Sequence, residues 1–120
     1  MKRRAKKKVR LMRPEKFKGR QIYWKTGPHS HTRNVPVVLF YESWNHAISG
    51  HDEMYGREYE IMDVIDDPDR KDESWNPTVN VYIKVNRTDN LVISVVVDFE
   101  HEDFGYVKTA YGDEYCENDD

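Results

Sequence analysis

Three observations in the sequence predict an α+β fold, with helices preceding an antiparallel sheet. Apolar residues between 44 and 65 recur at helical spacing, residues 79–111 divide into three runs of strand character, and the turns between those runs are short enough for hairpins. Ahead of them, 20–25 ("RQIYWK") and 35–41 ("VPVVLFY") look extended, being rich in β-branched and aromatic residues, with the turn-rich "TGPHSHTRN" between them.

A first helix is expected after Ser43, a good N-cap, and to stop at Gly50, a good C′ residue. Trp44, Ala47, Ile48 and His51 follow its core-facing spacing, with His46 off that stripe and nearer its edge. A second helical segment is expected from about Glu53 to Asp66. Met54, Glu58, Ile61 and Ile65 share one of its faces, and Pro68 in "DDPD" cannot continue the hydrogen-bond ladder.

The run "VNVYIKV" (79–85) alternates Val79, Val81, Ile83 and Val85 with Asn80, Tyr82 and Lys84, the period of a half-buried strand. Its aliphatic side is expected to face the core, leaving Tyr82 and Lys84 on solvent or on the floor of a cleft. "LVISVVVDF" (91–99) is nearly continuous in apolar residues, as a strand covered on both faces would be. "FGYVKTAY" (104–111) closes the meander.

One domain is expected from 120 residues, and 38% apolar against 34% charged residues describes a strongly hydrated chain. No run approaches the roughly 18 apolar residues of a membrane span, and no apolar segment follows the basic start as it would in a signal peptide. A cytoplasmic protein with no membrane partner is therefore expected. Cys116 is the single cysteine, which excludes an internal disulfide and a cysteine-based zinc site.

The net charge of −3 hides a polarity: residues 1–25 balance at +11 and the remainder at −14. Such a basic arm on an acidic body can grip nucleic acid or a membrane surface, or fold back on its own domain. The organisation expected is a basic, flexible arm over 1–19, a single domain over 20–112 and an acidic tail over 113–120, with the first 10–18 residues too poor in apolar groups to order alone.

The chain has no Gly-rich phosphate loop, no Ser elbow and no Cys–His pair, and nothing in it calls for a cofactor. His46 and His51 lie five residues apart across Gly50, which is not the i, i+4 geometry of a helical zinc motif, and "HSH" at 29–31 reads as loop. What remains is His with Lys, Thr and Tyr, a set suited to phosphodiester chemistry without a metal. Histidine moves protons near neutral pH, while Lys and hydroxyl donors hold the phosphate. RNA is the natural substrate, because its own 2′-OH supplies the nucleophile.

In order, "VVLFYESWNHAISGHDEM", "EIMDVIDDPD", "VYIKV", "LVISVVVDF" and "GYVKTAY" span residues 37–111. They resemble the phage-associated nucleases of the barnase–EndoU–colicin–RelE-like superfamily. The resemblance implies two N-terminal helices packed on an antiparallel sheet of about four strands, and a metal-independent ribonuclease or toxin-like effector. Such an effector has RNA as its partner and an antitoxin or immunity protein to restrain it. Matched residue by residue, it implies catalytic roles for His46, His51, Tyr82, Lys84 and Thr109; Ala47 and Asp52 depart from its usual Ile and Pro. Two other functions fit the charge pattern: a non-catalytic nucleic-acid-binding module, and an acidic inhibitor or nucleic-acid mimic that occupies a basic groove on a partner protein.

Overall fold

The computed structural model describes residues 15–116, so the basic segment 1–14 and the last four residues lie outside the described residues. The chain forms β1 (Glu15–Phe17), β2 (Arg20–Thr26), β3 (Val37–Phe40), α1 (Tyr41–Ala47), α2 (Glu58–Asp66), β4 (Arg70–Glu73), β5 (Val79–Asn86), β6 (Leu91–Asp98) and β7 (Gly105–Glu114). The strands make one seven-stranded sheet in the order β1-β2-β3-β7-β6-β5-β4. All neighbours are antiparallel except β3 and β7, which run parallel and pair only at Val37↔Gly105 and Val38↔Tyr106.

This corrects the expected architecture. The helices are mid-chain, following three strands, and the sheet is a mixed one of seven strands rather than an antiparallel one of about four. Both extended N-terminal runs belong to the sheet, and β1 falls inside the stretch read as an arm. The charged tetrapeptide "RKDE" forms β4. It is an edge strand held by its backbone ladder to β5 and shows no apolar period.

β3 runs straight into α1 without a loop. Phe40 is extended at φ −78°, ψ 136°, and the next residue is already helical, so the helix starts before Ser43. The second segment divides in two. A 3₁₀ turn at Asp52–Met54 is separated from α2 by Gly56, whose φ of +81° is left-handed.

Both helices cover one face of the sheet. Trp44, Ile48, Met54, Ile61, Val64 and Ile65 pack there on Leu39, Tyr82, Ile93, Val95, Val97 and Ala110. On the other face a smaller cluster of Ile22, Val38, Phe40 and Phe104, flanked by Phe17 and Tyr106, covers only the β1-β2-β3-β7 end. Beyond it Val81, Ile83, Val85, Val92 and Val96 stay half-buried, so β6 is covered by helix on one side only, not on both. The faces of β5 are therefore the reverse of those expected. Tyr82 is fully buried beneath the helices, and the aliphatic side is the open one. Alternation identifies two faces but not which of them receives the cover.

Candidate active site

The residues singled out by sequence do not assemble into one site. Tyr82 is part of the core, and its hydroxyl donates to the His31 carbonyl at 2.5 Å. Burial above all pushes its pKa up to about 12. Lys84 pairs with Ile93 in the sheet and so lies on the helix side, where its Nζ donates to the Asp67 carbonyl at 2.7 Å. There it lines a cavity of about 280 Å³ with Glu60, Asp63 and Asn86. Thr109 Oγ1 donates to the Ala47 carbonyl at 2.6 Å, satisfying one of the acceptors that the end of α1 leaves open and tying that helix to β7.

His51 lies just ahead of the 3₁₀ turn, with Nδ1 3.7 Å from Glu53 Oε2 and its ring tilted against Tyr111. Glu53 in turn accepts the Gly112 amide at 2.9 Å, and that bond holds its carboxyl below the usual range. His51 thus belongs to a junction between the turn and β7. Of the five candidates, His46 and Lys84 line cavities, and the two cavities are separate.

The cleft at His46 arises from the way β3 ends. Because β3 turns into helix after two paired residues, the edge of β7 beyond Tyr106 has no strand neighbour, and α1 stands off from it. The gap is about 380 Å³, within the range of small-ligand pockets, and is lined by Arg20, Phe40, Ser43, His46, Ala47, Glu100, His101, Phe104, Tyr106, Val107 and Lys108. Phe40, Phe104 and Tyr106 form its floor toward the smaller cluster, and α1 forms its other wall, away from Lys84.

His46 lies in the last turn of α1, exposed, with no side-chain partner among the described residues. Lys108 enters through a β-bulge. Val107 pairs with Val97 and Thr109 with Val96, so Lys108 is the extra residue and is re-aimed out of the ladder. Its Nζ lies 3.6 Å from Oδ2 of Asp98, a carboxylate only 7% exposed. His101 stacks on Phe104 at 4.5 Å between ring centres, and its Nε2 is 3.8 Å from Glu100 Oε2. Tyr106 donates to that same oxygen at 2.8 Å. Burial, followed by this bond and the neighbouring carboxylates, keeps the Tyr106 phenol protonated far into the alkaline range, so it acts as a donor. The Arg20 guanidinium lies 3.7 Å over the Phe40 ring and pairs with Glu42.

Reasoning from sequence missed His101, Glu100, Lys108 and Arg20. The first two sat in a stretch read simply as a turn, and nothing in the pattern of "GYVKTAY" marks the bulge. The loop "HSH" proved to be structural rather than idle. His29 Nε2 lies 2.8 Å from Asp66 Oδ1, which also accepts the Thr26 hydroxyl. His31 Nε2 lies 2.7 Å from the Ile65 carbonyl, and the two imidazoles stack at 4.9 Å.

Compared with models of known protein families, with curated proteins and with solved structures, the chain matches none. No helix among the described residues is long and apolar enough to cross a membrane.

Proposed function

We propose that the protein cleaves RNA, with the ribose 2′-OH as nucleophile and the cleft at His46 as the site. One observation carries the reading: two imidazoles, a lysine, an arginine and a carboxylate line a single cleft between α1 and the edge of β7. One imidazole takes the 2′ proton as the O2′–P bond forms. The other returns a proton to the 5′ oxygen as the P–O5′ bond breaks, leaving a cyclic phosphate. Lys108 and Arg20 offset the charge that develops on the phosphoryl oxygens. The family resemblance supports the same chemistry. Lys84 and Tyr82 have no part in it, and Thr109 acts only by fixing the end of the helix that carries His46.

The test is cleavage of total RNA in EDTA by wild type, His46→Ala, His101→Ala and Lys108→Ala. Loss of a proton-transfer group costs about 10²–10⁴-fold in rate. His46→Ala and His101→Ala should fall by that much with unchanged melting, since both side chains are exposed. Equal cleavage by wild type and His46→Ala would refute the site. Cleavage that requires added Mg²⁺ would refute the metal-independent chemistry. A second reading, a non-catalytic RNA-binding module, draws on the fact that no group among the described residues orients the His46 ring, as proton-transfer pairs ordinarily require. RNA binding without cleavage would favour it.

A further inference from the structure

Trp75 is 93% exposed, whereas Trp24 and Trp44 are 3% and 1% exposed. It stands in the hairpin between β4 and β5, and that hairpin is firmly built. Asn76 N donates to Ser74 Oγ at 2.9 Å, Val79 N to the Asn76 carbonyl at 3.0 Å, and Thr78 N to Asn76 Oδ1 at 3.0 Å. From outside the hairpin, Phe99 N donates to the Thr78 carbonyl at 2.7 Å and Arg33 to the Pro77 carbonyl at 2.9 Å. The loop therefore holds a large apolar ring in water on a fixed backbone mount, with the ordering cost of the loop backbone already met before any partner arrives.

The surroundings indicate which kind of partner fits. An aromatic anchor for a protein ordinarily sits inside an apolar patch. Trp75 instead has Glu73, Ser74, Asn76, Pro77 and Thr78 as chain neighbours, with Pro77 the single apolar one, so what it offers is chiefly a bare ring face. A cation is bound to the same hairpin. The Arg33 amino group reaches the Pro77 carbonyl and Asn80 Oδ1, and the guanidinium lies 4.8 Å over the Phe99 ring, with no further hydrogen-bond partner for its remaining N–H groups among the described residues. A ring face and a guanidinium anchored on one hairpin are the two groups that can hold a base and a neighbouring phosphate. The hairpin is also joined to the cleft. Asp98 takes the Thr78 hydroxyl at 2.9 Å and the Glu100 amide at 3.0 Å on one oxygen, and faces Lys108 with the other.

We propose that Trp75 stacks on one base of single-stranded RNA and that Arg33 holds the adjoining phosphate, outside the cleft at His46. This deepens the ribonuclease reading and rests on it for the identity of the ligand. It specifies an unpaired substrate, because a base inside a duplex has no free face to offer.

The test uses the full chain and a 2′-O-methylated oligoadenylate, which can bind but cannot be cleaved through its 2′ oxygen. With the other two indoles buried, iodide-quenchable tryptophan fluorescence reports Trp75. The oligomer should protect that fluorescence from iodide. Trp75→Ala should weaken its binding about 5- to 150-fold, the range for loss of one stacked base, with Trp75→Phe retaining most of the affinity. A duplex of the same sequence should bind wild type and Trp75→Ala alike. Unchanged quenching together with equal affinity of wild type and Trp75→Ala would overturn the proposal. So would a concentration-dependent dimer that Trp75→Ala abolishes, since the ring would then be a protein contact. The two readings fail separately. Protection by the oligomer in a protein that cleaves no RNA refutes the cleavage alone, and cleavage with no protection refutes the stacking alone.

Discussion

Two clusters, each with a pair of histidines, a carboxylate and a tyrosine, occupy opposite sides of this sheet, and they have opposite fates. On the helix side, His29, His31, Asp66 and Tyr82 use their polar atoms on one another and on backbone carbonyls, fastening the 27–35 loop to the end of α2. On the other side, the His46 ring has no side-chain partner among the described residues, Lys108 meets its carboxylate only at 3.6 Å, and a cleft lies between α1 and β7. Residue types alone do not distinguish the two. What differs is how far the protein has already supplied donors and acceptors with partners: in the second cluster Tyr106 and Glu100 are paired, and the His46 ring, among the described residues, is not. Where it has, the cluster is structure; where it has not, the cluster is available to a ligand.

The largest effect that can break this contrast is on Tyr82. Tyr82→Ala should cost about 3–5 kcal/mol of stability, as large-to-small changes of buried aromatic residues do, and should also strip the His31 carbonyl of its donor. Urea unfolding measures this, and a loss below about 1 kcal/mol would mean that the cluster is not structural.

A smaller effect comes from pH. The folded pKa of Tyr82 is raised above the unfolded value of 10.0, so its stabilisation is fully present below that value and is lost as pH rises toward about 12. The stability gap between wild type and Tyr82→Phe should therefore narrow from about pH 8 to pH 11. Urea midpoints at the two pH values check it, and a constant gap would show that the phenol does not titrate with unfolding.

The smallest effect belongs to Lys84, whose partner Asp67 is 90% exposed. Lys84→Ala should change stability by about 0–1 kcal/mol, as exposed pairs do, and leave cleavage of RNA as it was. A fall in cleavage matching that of His46→Ala would mean that the functional site is not confined to the cleft at His46.

Some of this was legible in the sequence. The alternation of β5 and the apolar run of β6 marked strands correctly, and His46 was visible as a histidine off the apolar stripe of its helix. Strands β1 and β4 were not legible, because "EKF" and "RKDE" are edge segments held by backbone bonds, which leave no trace in side-chain pattern. Tyr82 and Lys84 drew attention as the polar side of a strand. Yet Tyr82 buries its ring and satisfies its hydroxyl on a loop carbonyl, while Lys84 reaches past the helix end to Asp67. Lys108 owes its position to one extra residue in a strand, and Arg20 to the return of the chain's beginning beside β3. Both depend on long-range register, which local spacing does not encode.

The join between β3 and β7 has a consequence for synthesis. A nascent chain emerging from the ribosome completes β1, β2 and β3 long before Gly105 and Tyr106 exist to pair with Val37 and Val38, so one edge of that early ribbon waits with nothing beside it. When the last strand arrives it must fit closely, because a side chain at position 105 would meet the Phe99 ring at 2.6 Å. β7 is therefore the closing piece, joining the early and late parts of the chain into one sheet. A ribosome that stops short of it releases two unjoined ribbons, each with a bare edge open to its neighbours in the crowd.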